Sequence, residues 1–166
     1  MKEMLIVKRF IVLSIITMAL LAGCTDNSAP SNTMASDFSL QDMSGKTVRL
    51  SDYKGKVVLL EFWASWCPPC RASVPSLEKL HNAYKDKGLV LLAVSMDEGG
   101  WEEVQSFIKE SGITYTVLKG TEDVAVKYHV SSIPMMLVLN KEGRISKRYL
   151  GMGSDEDLEK DIKDSL

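Results

Sequence analysis

The sequence predicts an α/β domain with a mixed central sheet and helices on both faces. Three observations carry this. Val57–Trp63 (VVLLEFW) and Leu89–Ser95 (LVLLAVS) are near-continuous apolar runs of strand length, as expected of strands covered on both sides. A segment with apolar residues at helical spacing follows each run. The chain then closes with a hairpin pattern and a last helix, so the order is mixed rather than purely alternating. The 166 residues are 45% hydrophobic and 25% charged, with a formal net charge of −2. That is the composition of a single globular domain, and it offers no general attraction to nucleic acid.

The N-terminus stands apart from that domain. Lys2, Lys8 and Arg9 form a basic start, and residues 10–22 then run without a charge. A membrane span needs about 20 apolar residues, so this shorter run behind a basic start reads as a secretory signal peptide over residues 1–23. It ends Leu21-Ala22-Gly23-Cys24, which resembles the lipobox of bacterial lipoproteins. That resemblance implies Cys24 as the lipidated first residue of the mature chain. An uncut signal anchor, or a plain signal with an incidental cysteine, are the alternatives. Residues 24–35 are rich in Ser, Asn and Pro and read as a flexible tether. The domain is then expected over 36–166.

Within it, Phe38-Ser39-Leu40 and Thr47-Val48-Arg49-Leu50 flank Asp42-Met43-Ser44-Gly45, a hairpin signal. The first central strand, 57–63, follows. Val74, Leu77, Leu80 and Tyr84 then mark a helix over 68–87, stopped by Gly88. After the second strand, 89–95, Trp101, Val104, Phe107 and Ile108 mark another helix, ended by Gly112. A short strand is expected at 115–118 and a two-turn helix around Val124, Ala125 and Tyr128. Strands at 135–139 and 144–150 flank the turn Asn140-Lys141-Glu142-Gly143. Ser154 with Asp157 caps a last helix carrying Leu158 and Ile162. Neither GxGxxG nor GxxxxGK[ST] occurs.

Chemistry concentrates at Trp66-Cys67-Pro68-Pro69-Cys70, between the first central strand and its helix. A thiol at a helix N-terminus faces free N–H groups and the positive end of the dipole, which favour the nucleophilic thiolate. Pro68 and Pro69 pre-set the first turn, where no N–H is needed. Cys70, one turn in, is expected to be the more buried, resolving thiol. Arg71 after Cys70 excludes a CxxCH haem site. His81 and His129 do not complete a zinc site with two cysteines. His81 is expected as a half-buried surface residue, and His129 as a residue with at most a place beside a substrate groove. A structural disulfide would close so short a loop that it gains little.

Phe62-Trp63-Ala64-Ser65-Trp66-Cys67-Pro68-Pro69-Cys70 resembles the active site of the thioredoxin superfamily. The segment from Asp37 to Gly55, with the additional helix and strand after Met96-Asp97, narrows the resemblance to the ResA/TlpA branch of extracytoplasmic thiol–disulfide oxidoreductases. The resemblance runs from about Asp37 to the end of the chain. It implies a thioredoxin-like fold with an N-terminal β-hairpin and a central helix–strand insertion. It implies Pro75 as a helix-kinking proline and Pro134 as a cis-proline. The latter would leave the Ile133 backbone free to pair with an extended substrate peptide beside Cys67. Glu61, six residues before Cys67, matches the buried acid that exchanges protons with the resolving cysteine. The alternative is a carboxylate in solvent or paired with a lysine. Ser73 departs from the pattern, because several members carry an acid there. For functions that depend on that second acid, apocytochrome c specificity included, the resemblance by itself is not sufficient support.

Cys67, Cys70 and Glu61 are accordingly the expected catalytic residues, and Trp66, Pro68, Pro69, Ile133 and Pro134 the expected substrate-binding ones. No cofactor and no metal are expected. The expected partners are extracytoplasmic protein disulfides or thiols and a membrane electron donor of thiol type, with the chain itself a lipid-tethered monomer. The resemblance implies reduction of protein disulfides, with cytochrome c maturation as one setting. Two rivals share features of the sequence. A thiol peroxidase shares the scaffold, but the Thr-x-x-Cys that it needs has no threonine in the stretch from Trp63 to Cys67. A copper metallochaperone would draw on Met135 and Met136, for which strand packing is the simpler role.

Overall fold

The computed structural model describes residues 32–166. The expected signal segment, Cys24 and most of the tether lie outside the described residues. Strands β1 (Ser39–Gln41) and β2 (Thr47–Arg49) form an antiparallel hairpin with Leu40 opposite Val48. Asp42 closes its turn by accepting the amides of Ser44 and Lys46. At the centre of the main sheet, β3 (Val57–Trp63) and β4 (Leu89–Ser95) pair in parallel. Strand β5 (Thr116–Lys119) joins β4 in parallel, β6 (Met135–Leu139) lies antiparallel to β3, and β7 (Ile145–Leu150) antiparallel to β6. The order is β5-β4-β3-β6-β7, so the two apolar runs occupy interior positions, as their composition requires.

Among the described residues, four α-helices cover the sheet: α1 (Pro68–Tyr84), α2 (Glu102–Ser111), α3 (Glu122–Lys127) and α4 (Asp155–Ser165). Successive strand residues face opposite sides, which splits the core in two. Leu59, Leu91 and Val138 pack with Val74 and Leu77 of α1, Val104 and Phe107 of α2, and Leu158 and Ile162 of α4. Leu60, Leu92 and Leu137 pack with Val124 of α3, with Tyr128, and with Phe38, Leu40 and Val48 around the hairpin. Each fully buried leucine contributes roughly 1.5–3 kcal/mol.

Helix α1 ends three residues earlier than its apolar spacing suggests. The chain tightens into a 3₁₀ turn, Lys85–Lys87, before Gly88 takes the left-handed conformation at φ 106°. Strand β5 begins at Thr116, one residue later than expected. The expected boundary at residue 36 also moves. Met34 pairs with Arg144, Ala35 donates to the Gly143 carbonyl, and Ile145 donates to the Thr33 carbonyl. Backbone groups at and just before the start of β7, one accepting and one donating, thus hold Thr33 to Ala35 on the domain, although polar composition reads as tether there. No helix among the described residues is long and apolar enough to cross a membrane.

Two connections converge on one end of the sheet. Strand β3 runs into residues 64–67 and then α1. Strand β6 is preceded by the Ile133–Pro134 bond, which is cis. Because Met135 stands opposite Phe62, Pro134 lies beside the end of β3 and the loop that follows it.

Candidate active site

Cys67 is the N-cap of α1, and Pro68 and Pro69 occupy its first two positions. Cys67 and Cys70 are joined in a disulfide, with Cα atoms 5.3 Å apart. The Cys67 Sγ accepts the backbone N–H of Cys70 at 3.3 Å. This amide is one of the free donors of the first helical turn, so the helix terminus aims positive charge at this sulfur. The Ile133 carbonyl oxygen approaches the same sulfur at 3.8 Å, which sets Cys67, Ile133 and Pro134 side by side. Cys70 is 1% exposed and Cys67 3%. The expected contrast in burial is therefore slight in the disulfide form. Trp66, expected among the substrate-binding residues, stands 64% exposed beside the disulfide ring.

The loop before Cys67 is held by a carboxylate. Asp97 is buried and accepts the Ser65 amide at 3.0 Å, the Ser65 hydroxyl, and the Ser95 hydroxyl at 2.8 Å. Lys119 reaches over it to the Asp97 and Gly100 carbonyls. From α1, Arg71 donates to the Ser65 carbonyl at 3.3 Å and lays its guanidinium 4.3 Å from the centre of the Phe107 ring. The backbone immediately ahead of the disulfide is thus tied to β4, to the segment after it and to α2.

Glu61 lies within β3, 2% exposed, on the face covered by α1. Burial pushes its pKa up to about 8, and a hydrogen bond from Ser73 partly offsets this. Ser73 Oγ is 3.2 Å from Glu61 Oε1 and 2.7 Å from the Cys70 carbonyl oxygen. No lysine or arginine among the described residues forms an ion pair with Glu61, so the exposed or lysine-paired alternative is overturned. A carboxyl without a counter-ion in an apolar core is favoured in its neutral form.

The structure brings together Glu61, Cys67, Cys70, Ile133 and Pro134, with Pro68 and Pro69 in the ring and Trp66 at its rim. In the sequence, Asp97 stands out only as a mark of the insertion, and Ser73 only as a departure from the pattern. The signals are in the sequence: Ser73 falls one turn after Cys70 on the apolar stripe of a helix, and Asp97 comes two residues after the end of a buried strand. His81 is half-buried against Tyr115, their rings 6.1 Å apart. His129 is exposed with φ 52° and lines a small polar hollow with Lys127 and Arg148. Met135 and Met136 are fully buried on opposite faces of the sheet, so the two do not converge as a ligand pair.

Residues 32–148 match the AhpC/TSA family. Over 130 residues the chain is 34% identical to a protein of Geobacillus kaustophilus named thiol-disulfide oxidoreductase ResA, covering 78% of this chain and 74% of that one. It is 36% identical to the thioredoxin-like protein YneN of Bacillus subtilis, covering 77% and 76%. Among solved structures, it resembles the thioredoxin domain of a thiol-disulfide oxidoreductase from Bacteroides vulgatus. The TM-score is 0.74 at 30% identity, over 81% of this chain and 96% of that one.

Proposed function

The chain belongs to the AhpC/TSA family as a thioredoxin-fold thiol–disulfide oxidoreductase, and we propose that Cys67 is its outward nucleophile and Cys70 its resolving thiol. The observation that carries this is the Cys67–Cys70 disulfide at the N-terminus of α1, with a backbone N–H directed at Cys67 Sγ.

In the reduced enzyme, the Cys67 thiolate attacks one sulfur of a partner disulfide. The partner's other sulfur leaves as thiolate and takes a proton from water. Cys70 then loses its proton and attacks Cys67 Sγ, which releases the partner's second thiolate and closes the Cys67–Cys70 bond. Two electrons pass to the partner. Glu61 accepts the Cys70 proton in this direction and returns it when the enzyme disulfide is reopened. A group with pKa of about 8 is present in both charge states near neutral pH, as acid–base exchange requires. Trp66, Ile133 and Pro134 form the contact surface for the partner chain, whose backbone meets the Ile133 carbonyl. Pro68 and Pro69 keep the ring stiff and leave no free N–H beside it.

The expected setting is outside the cytoplasm, where protein disulfides persist. There the chain reduces them while tethered through Cys24 and is itself re-reduced by a membrane thiol donor. Maturation of c-type cytochromes, whose CxxCH cysteines must meet haem as thiols, is one process this would serve. A turnover assay on a protein disulfide with dithiothreitol as donor tests the reading. Cys67→Ala and Cys70→Ala should each lose catalysed reduction by at least about tenfold, a change of roughly 1.4 kcal/mol or more in barrier height. Wild-type turnover by Cys67→Ala would refute the assignment.

A further inference from the structure

We propose that Ser73 is the positioning residue that links the charge state of Glu61 to the backbone of Cys70, through a hydroxyl that serves one acceptor at a time. This rests on the reading of Glu61 as the acid–base group and adds the residue through which it is felt.

The geometry leaves little freedom. Ser73 is fully buried, with Oγ 3.2 Å from Glu61 Oε1 and 2.7 Å from the Cys70 carbonyl oxygen. A serine hydroxyl carries one proton and two lone pairs, so it cannot donate fully to both oxygens. When Glu61 is neutral, its carboxyl O–H donates to Ser73 Oγ, and Ser73 donates to the Cys70 carbonyl. Each proton then has an acceptor. When Glu61 is ionised, both of its oxygens only accept. The Ser73 proton must turn to Glu61, and the Cys70 carbonyl loses it. Each ionisation of Glu61 is thereby coupled to the backbone of the resolving cysteine, three residues earlier on the same helix face.

The other surroundings of Glu61 offer no substitute. Strand β4 presents Ala93 opposite it and β6 presents Met136. The buried residues of α4 on this face are Leu158 and Ile162, and those of α2 are Val104 and Phe107. Tyr115, ahead of β5, feels the Glu61 charge, but its own pKa is raised above the usual phenol value, chiefly by burial, so it stays neutral. On α1, Cys67 and Cys70 are joined as a disulfide and do not titrate. Among the described residues, Ser73 is the one hydrogen-bond donor to the Glu61 carboxyl.

The test uses the oxidised full chain with ¹³C-labelled glutamate, following carboxyl resonances against pH. The Glu61 signal is the one missing from Glu61→Gln. In wild type it should titrate near pH 8. In Ser73→Ala its midpoint should rise by about one pH unit, the order expected when an ionised group loses one charge-assisted hydrogen bond. Ser73→Thr retains the hydroxyl and should keep the wild-type midpoint. An unmoved midpoint in Ser73→Ala overturns the role of Ser73 and leaves Glu61 as the acid–base group. A Glu61 signal that titrates in the ordinary carboxylate range overturns the Glu61 reading and this inference with it. A raised midpoint shared by Ser73→Ala and Ser73→Thr also overturns the inference, because it traces the shift to packing rather than to the hydroxyl.

Discussion

Glu61 destabilises the fold whenever it is charged. Its folded pKa of about 8 lies above the ordinary value of 4.5, because burial removes solvation and only Ser73 compensates. The folded state holds the proton more tightly, so stability is greatest at low pH, falls as pH rises from about 4.5 through 8, and levels off above. Glu61→Gln lacks that loss. Denaturant unfolding should therefore show the variant gaining on wild type by about 4 kcal/mol between pH 5 and pH 9. Stability curves that run parallel over that range would show that Glu61 is not buried as a neutral acid. At this scale the sequence was informative where a residue broke a pattern. A charged letter inside VVLLEFW announced a buried acid, and the cysteine spacing announced the redox pair. Ser73 and Asp97 broke no pattern strongly. Their importance lies in what they reach across the fold, Glu61 twelve positions away for one and Ser65 thirty-two for the other.

Among the elements, α1 and the loop before it carry the chemistry. The helix places Cys67 Sγ at its first available amide, that of Cys70, and Asp97 fixes the loop that leads there by binding Ser65 through backbone and side chain. Asp97→Ala would leave buried donors without an acceptor, at about 1–3 kcal/mol for each such group. A loss of roughly 3 kcal/mol in unfolding free energy is expected, together with faster amide hydrogen exchange at Ser65 to Cys67. Unchanged exchange at those amides would show that Asp97 does not hold the loop. Apolar periodicity made the strands and helices legible because both central runs and the amphipathic helices bury residues at regular spacing. The ends were less so. The 3₁₀ turn after Tyr84 ends on left-handed Gly88, and β5 starts after Thr114, whose amide is held by Glu78 of α1; periodicity weighs neither.

For the whole molecule, the domain takes in more of the N-terminal segment than its composition suggested. Pairing of Met34 with Arg144 brings the start of the folded unit into the last residues of the expected tether. The expected lipid site, Cys24, lies beyond the described residues and remains a proposal from its sequence context. Cys24→Ser should move the protein from the membrane fraction to the soluble one, or leave it unprocessed. A variant that is fully processed and still sediments with membranes would refute lipid anchoring there.

The central claim, that exchange runs through Cys67 and is completed by Cys70, is tested most directly by mapping the trapped intermediate. Cys70→Ala cannot release a bound partner internally, so it should accumulate dithiothreitol-sensitive adducts with protein partners. Peptide mass mapping should then find the partner's cysteine joined to Cys67. Cys67→Ala should yield few adducts, since its remaining thiol lies inside the first helical turn and lacks the helix-end N–H that is directed at Cys67 Sγ. Equal trapping by the two variants, or adducts formed only through Cys70, would contradict the account.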